Sequence, residues 1–311
     1  MYEFATGVID VWEKGLLNSL DQERMLKAPD RASAFMVLFD TNLGEIIAGN
    51  LQKNIEDIFS EDLMALKKKL AYALGDDKEL LISFLFLRFN AFNLKSVLKK
   101  KFFKEQAKDF KLFEFASNLA NVYVKELVCE ADKILNASKE SYQEISSKTI
   151  EIAVDKAYFK VKLSMAKKEK ALMLITRLEI DIANLRSFLA KNSQMFLPGG
   201  NLTVSQIEKL AHGKEEESSK NLKRFLETLE LAFLLESNQE NTGDILIERK
   251  LEAYFAQRIF RREKEKGSGI EKVLAFFQKK INSHANIRLI LFAKENGLSV
   301  EEIEKALLPI N

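Results

Sequence analysis

The sequence predicts an all-α fold made of three similar helical units, and three observations predict it. Gly (12) and Pro (3) are scarce in a chain of 311 residues, whereas strand-rich folds use both in their frequent turns. Apolar residues recur at three- and four-residue spacing almost throughout, which is the period of a helix with one buried face. A short motif also returns three times at near-equal intervals.

Composition and charge exclude several classes of protein. With 47% hydrophobic and 30% charged residues, the chain folds rather than staying disordered. Lys plus Arg number 48 and Asp plus Glu number 46, so any attraction to nucleic acid or acidic lipid must come from a local patch. The single cysteine, Cys129, excludes an internal disulfide and fits a reducing compartment. We interpret it as an inert helical residue, because Val128 and Glu130 beside it offer no positive charge.

No segment predicts a membrane span or a signal peptide. The longest apolar stretch, LLISFLFL at 80–87, is far shorter than the ~20 residues that cross a bilayer. Residues 1–20 carry Glu3, Asp10 and Glu13 and lack a basic start. We therefore expect a cytoplasmic protein.

The helices follow in order from apolar spacing and from start signals. The first is marked by side chains about one turn apart: Phe4, Val8, Val11 and Trp12. Pro29 suits the start of a second helix, which continues through Ala34, Val37 and Leu38. Ser60 suits the N-cap of a third, since acidic residues follow it.

The middle of the chain predicts long helices, and the turns are few. From 111 to 189 the helical pattern shows one weak break, at 136–141. Turn signals occur at five places: 74–77, 197–201, 238–244, 266–269 and 296–299.

The repeated motif is an Asn followed two residues later by a basic residue. Its three copies are Asn93 with Lys95, Asn184 with Arg186, and Asn286 with Arg288. Positions one, four and five after each Asn are apolar and share one helical stripe. A short polar residue stands three before each Asn: Asn90, Asp181 or Ser283. From 93 to 184 is 91 residues and from 184 to 286 is 102, so we predict three units, 1–112, 113–212 and 213–311.

A second marker supports the last two copies. LTVSQIEKL begins at 202 and LSVEEIEKAL begins at 298. Thr203 with Gln206 and Ser299 with Glu302 are predicted capping boxes. Gly200 and Gly297 come shortly before them, where a helix can end in the left-handed conformation.

The chain resembles the C-type subunit of the prokaryotic A-type/V-type rotary ATPases, the counterpart of the d-type subunit of eukaryotic V-type ATPases. Four stretches carry the resemblance: 25–47, 177–192, 197–210 and 280–308. The family typically has an acidic residue shortly before the final Asn-Ile-Arg and an Asp where Asn90 stands. These two departures bear on a charged contact to the neighbouring basic residue and not on the fold.

The resemblance implies both an architecture and a role. Three helical-bundle units surround a pseudo-threefold axis and form a funnel. Central-stalk subunits of the D and F type enter its cavity, and the membrane rotor ring lies beneath. The protein is non-catalytic, has no cofactor, and is peripheral on the cytoplasmic face, where it joins the membrane only through the complex.

The sequence predicts no catalytic, metal or cofactor site. The chain lacks a P-loop, so it has no such nucleotide site. Its histidines, His212 and His284, are too few for a metal centre or a nucleophilic triad. DDKEL at 76–80 has Leu80 where the aspartate motif of helical terpenoid synthases needs an Asp.

Two features keep alternative interpretations open. The Asn-x-Arg/Lys motif either satisfies polar groups where helices meet or contacts the stalk directly. The lysine-rich segments at 95–111 and 156–170 are either solvated faces or contacts to acidic partner loops or anionic lipid. A helical-repeat nucleic-acid binder that uses these lysines is the alternative function, and an all-α enzyme is a third.

Overall fold

A computed structural model of the chain is all-helical, which confirms the predicted fold class. The structure describes residues 2–49, 53–75, 78–103, 121–141, 145–189, 196–203 and 244–310. Every regular element within these ranges is a helix.

The helices of the described residues are numbered here in chain order. They are α1 Glu3–Glu13, α2 Ser19–Lys27, α3 Arg31–Met36, the 3-10 turn Val37–Asp40, α4 Gly44–Gly49, α5 Ile55–Ala73, α6 Lys78–Phe102, α7 Val122–Ser141, α8 Ser147–Ala166, α9 Lys170–Leu189, α10 Asp244–Lys266, α11 Ile270–Asn296 and α12 Val300–Glu304.

The chain divides into two compact units. Unit 1 joins Met1–Gly75 to Lys223–Asn311, and unit 2 is Asp76–Leu222. The three-unit division stays a prediction, because its boundaries at 112 and 212 lie outside the described residues.

Unit 1 is built around α11, which contacts α1, α2, α3, α10 and α12. The second half of α11 contributes Ile287, Ile290 and Leu291 to a buried cluster with Ile47 and Ile58. Burial of such aliphatic side chains stabilises the unit by roughly 1.5–3 kcal/mol each.

Unit 2 is built around α8, which contacts α6, α7 and α9. The side of α8 that meets these neighbours is buried, including Ile150, Val154 and Ala157. Glu130 of α7 pairs with Lys160 of α8, and Tyr123 of α7 contacts Lys168 just after α8. The later residue of α7, Glu130, meets the earlier residue, Lys160, and the earlier one, Tyr123, meets the later one, Lys168. The helices α7 and α8 are therefore antiparallel.

Polar side chains set the helix starts, and they correct two predictions. Asn54 caps α5 by accepting from the backbone N–H of Asp57, so Ser60 lies inside that helix rather than at its start. Asp30 caps α3, so Pro29 lies just before this helix rather than at its first position. Ser299 and Glu302 form the predicted capping box. The box predicted for Thr203 with Gln206, and most of the turn at 238–244, fall outside the described residues.

The first helix forms where predicted but buries a different face. Ala5 and Ile9 are fully buried in α1, whereas Phe4 and Val11 are more than half exposed. This face of α1 contacts α11, and Thr6 accepts a hydrogen bond from the Gly269 backbone.

One of the two predicted glycine stops forms at a helix end, and one helix break was not predicted. Gly297 ends α11 in the left-handed conformation, with φ +70°. Gly200 does not adopt the left-handed conformation, which belongs to its neighbour Gly199 with φ +97°. A break at 167–169 separates α8 from α9, and the sequence concealed it because Lys-Lys-Glu contains neither Gly nor Pro.

One described helix, α6, is long and apolar enough by length and composition to cross a membrane. Half of the residues in its most apolar window are buried within the protein, as in the core helix of a folded unit. The 80–87 stretch is therefore part of a longer apolar helix than its own length suggested.

Candidate functional site

Each motif asparagine lies about four turns into a long helix that follows another helix after a short connection. Asn93 is in α6, Asn184 in α9 and Asn286 in α11, which begin at residues 78, 170 and 270. The connections before these helices are 74–77, 167–169 and 267–269. Asn286 belongs to unit 1 and the other two to unit 2, so each is a separate local site.

In two copies the asparagine bonds the backbone of a returning segment in the same way. The Asn184 Nδ2 donates to the Leu197 carbonyl at 2.9 Å, and its Oδ1 accepts from the Leu197 N–H at 2.7 Å. Asn286 makes the same two bonds to Leu308, both at 2.8 Å. Both side chains are fully buried. Each therefore satisfies a backbone N–H and C=O that water cannot reach and that would otherwise have no hydrogen-bond partner.

The signal for these contacts is a Leu-Pro pair, which sequence reasoning missed. Leu197 precedes Pro198 and Leu308 precedes Pro309, and the chain has three prolines in all. A residue before proline favours extended backbone, which leaves its N–H and C=O free of helical bonds and open to a side chain. Asn93 of the first copy is also buried.

The polar position three residues before the asparagine bonds the returning segment in the second copy, through Asp181. Asp181 accepts from the Asn201 backbone at 3.1 Å, from its side chain at 2.7 Å, and from the Leu202 backbone at 3.3 Å. Burial raises the pKa of Asp181 despite these bonds. In the third copy Ser283 donates to its own helix, and Asn282 donates to the Pro309 carbonyl at 2.6 Å.

Two of the motif's basic residues, Lys95 and Arg288, pair with carboxylates on neighbouring helices. Lys95 of α6 lies 2.6 Å from Asp155 of α8. Arg288 of α11 makes two bonds to Glu56 of α5, at 2.5 and 2.6 Å. Arg186 is half-buried on α9. The two departures from the family pattern are thus accompanied by acids supplied from other helices.

The sequence did not predict a buried charged cluster in unit 1 beside the motif. Asp62 of α5 lies 2.6 Å from Lys280 and 2.7 Å from His284 of α11, and it accepts from Asn42 at 2.9 Å. Burial raises the pKa of Asp62, but Lys280 and the His284 hydrogen bond together hold it below its ordinary value. Burial lowers the pKa of His284, whose ring stacks on Phe59 at 4.2 Å.

Unit 2 has its own buried cluster, on the hairpin of α8 and α9. Lys162 pairs with Glu179 and lies 2.8 Å from the Tyr158 hydroxyl, which in turn bonds Glu179 at 2.9 Å. Lys162 also stands over the Phe84 ring at 4.6 Å. Burial lowers the pKa of Lys162 and raises that of Tyr158. Because Lys162 contacts residues of α6, α8 and α9, this cluster holds the three helices together.

Several residues of the lysine-rich segments are engaged within the protein. Ion pairs occupy Lys95, Lys99, Lys160 and Lys162. Cys129 is exposed on α7. Within the described ranges no three His, Cys, Asp or Glu side chains lie close enough to hold a metal ion.

Comparison with protein families matches residues 5–306 to the ATP synthase (C/AC39) subunit family. Comparison with the curated proteins gives no match. The family match covers both units and all three copies of the motif, in agreement with the resemblance noted from four stretches. The chain therefore belongs to the ATP synthase (C/AC39) subunit family and is a subunit of a V/A-type ATPase.

Proposed function

We propose that this chain is the non-catalytic central-stalk subunit that links the rotating shaft to the membrane ion-carrying ring. In this role it couples ATP hydrolysis or synthesis to proton or sodium transport. The single observation that carries the proposal is the family match over residues 5–306.

We propose further that the three helical copies surround a pseudo-threefold axis as a funnel, with D- and F-type stalk subunits in the cavity and the ring beneath. The two described motif pairs support a cyclic order. Lys95 on α6 of the first copy pairs with Asp155 on α8 of the second copy. Arg288 on α11 of the third copy pairs with Glu56 on α5 of the first copy. Repeating units close into a ring when each offers the next a similar face.

An adapter between two rotating parts needs stiffness more than a reaction site. The buried asparagine bonds and the two buried charged clusters supply it, since each fixes the register of one helix against another segment. Lys162 is buried and contacts Tyr158, Glu179 and Phe84, so it ties helices together.

Reconstitution tests this proposal. The purified chain alone should hydrolyse no ATP, and it should bind both the isolated stalk subunits and the isolated rotor ring. A chain that binds neither, while the other subunits still assemble and hydrolyse ATP, would contradict the proposed role. Tight, steeply salt-dependent binding to nucleic acid in the same preparation would favour the alternative function.

A further inference from the structure

The first helix of the chain docks on α11 through a defined set of side chains. Lys272 of α11 lies 2.9 Å from Asp10 and 2.7 Å from Glu13 of α1. Lys279 lies 3.1 Å from the same Glu13. Between these two lysines, Phe276 contacts Trp12 with ring centroids 6.0 Å apart.

The internal repeat places the same chemistry on α9. Counted back from the motif asparagine, Lys272, Phe276 and Lys279 stand 14, 10 and 7 residues before Asn286. The residues 14, 10 and 7 before Asn184 are Lys170, Leu174 and Arg177. Because both helices are continuous to their asparagine, equal counts put these side chains at the same angle around the helix axis.

The two faces differ in what covers them. Lys272 is buried and Lys279 half-buried beneath α1 and Glu263 of α10. Lys170 and Arg177 are exposed and Leu174 is half-buried. The equivalent positions in α6 are Glu79, Ser83 and Phe86, so the first copy does not carry this pattern.

Neither cation of α9 has a carboxylate at ion-pair distance among the described contacts. Asp181, one turn after Arg177 on the same helix, is held by Asn201 and Leu202, although the Arg177 charge reaches it. Two more exposed lysines, Lys167 and Lys168, lie at the adjoining turn. A cationic, partly apolar face is therefore left open where its counterpart in the third copy holds an acidic helix.

We propose that the open α9 face, defined by Lys170, Leu174 and Arg177, binds an acidic amphipathic helix of another subunit of the ATPase complex. The occupant carries two carboxylates three or four residues apart beside an aromatic or aliphatic side chain, as Asp10, Glu13 and Trp12 do on α1. This inference rests on the proposed function, because it requires the chain to assemble with partner subunits.

The test compares the charge reversal K170E/R177E with wild type in binding to the purified complex that lacks this chain. The reversal turns two attractive contacts into repulsive ones. We therefore expect the variant to bind at least roughly tenfold more weakly than wild type at low salt, with a smaller difference at high salt. The matched control is K68E/K125E, which reverses two exposed lysines outside the lysine-rich segments that make no ion pair with the described residues. K170E alone leaves Arg177 and its neighbour Asp181 untouched, and circular dichroism checks folding of every variant.

A photo-crosslinking residue at position 174 of the full chain identifies the occupant. Crosslinks to a partner helix with two carboxylates at that spacing support the proposal. Crosslinks to a second copy of this chain, or loss of binding to anionic lipid vesicles rather than to the complex, would overturn it. If wild type binds and both reversals bind equally, the α9 inference fails while the proposed function stands; if wild type does not bind, the proposed function fails first.

Discussion

The side chain of Asn286 bonds both the N–H and the C=O of Leu308, at 2.8 Å each, and all of these atoms are buried. Asn184 treats Leu197 in the same way. A primary amide is the uncharged side-chain group that presents a donor and an acceptor side by side, as a strand partner does. This relationship explains why the repeat carries Asn at a point where the sequence alone showed only a polar residue bordering an apolar stripe.

Replacing Asn286 with Ala should therefore be costly. The change leaves the Leu308 N–H and carbonyl buried without partners, and we expect a loss of roughly 2–4 kcal/mol in the free energy of unfolding. Urea denaturation measures it. The control is N296A, because Asn296 bonds a carbonyl of its own helix at an exposed site and its loss should be within about 0.5 kcal/mol. Equal effects of the two substitutions would contradict the role assigned to Asn286.

Gly200 should resist even the smallest side chain. A Cβ at this position would lie 2.1 Å from the Asp181 Oδ1 and 3.2 Å from a methyl of Ile180. Relief requires the Asp181 carboxylate to move away from Leu202, which bonds Oδ1, and from Asn201, which bonds Oδ2. We therefore expect G200A to lower the free energy of unfolding by roughly 1–3 kcal/mol.

G7A is the matched glycine control, since nothing lies within 4 Å of the added Cβ at this helical position. It should be neutral or stabilising by up to about 1 kcal/mol. A G200A protein as stable as wild type would show that the Asp181 contacts contribute little.

The Arg288–Glu56 pair should contribute far less than its two short bonds suggest. Both side chains are about half exposed, at 50% and 49%, so water and salt screen the attraction. A double-mutant cycle with R288Q and E56Q should give a coupling energy of about 0.5 kcal/mol. A coupling above about 2 kcal/mol would require a much drier contact than the structure has.

Stability should depend on pH through His284. Burial lowers its pKa from the ordinary 6.5, despite the opposing effect of Asp62, and Lys280 and Arg288 lower it further. The unfolded chain then binds a proton more readily than the folded chain, so the free energy of unfolding falls as pH drops below about 6.5. The slope from this group is at most about 1.4 kcal/mol per pH unit.

H284Q should flatten that slope, since the amide keeps a donor for Asp62 but does not titrate. H212Q removes the other histidine of the chain and serves as the comparison. Denaturant titrations from mildly acidic to mildly basic pH measure both. If the slope in H284Q equals that of wild type, groups other than His284 cause the pH dependence.

The sequence predicted the helical class and the motif positions, because apolar periodicity and spacing are local properties. It misplaced the start of α5, since Asn54 and Ser60 are both followed by acids and both fit an N-cap. The α8–α9 turn was missed because Lys167–Glu169 contains neither Gly nor Pro. The hydrogen-bond partners of Asn184, Asn286 and Asp62 come from segments distant in the chain that fold back onto these residues. No local sequence pattern specifies which segment does so.

Ion uptake into sealed vesicles per ATP hydrolysed, with and without this chain, tests the central claim most directly. Vesicles that contain all other subunits should still hydrolyse ATP when the chain is omitted but should take up no ions, and adding the chain should restore uptake. Undiminished uptake per ATP in its absence would contradict a role in joining the shaft to the ring.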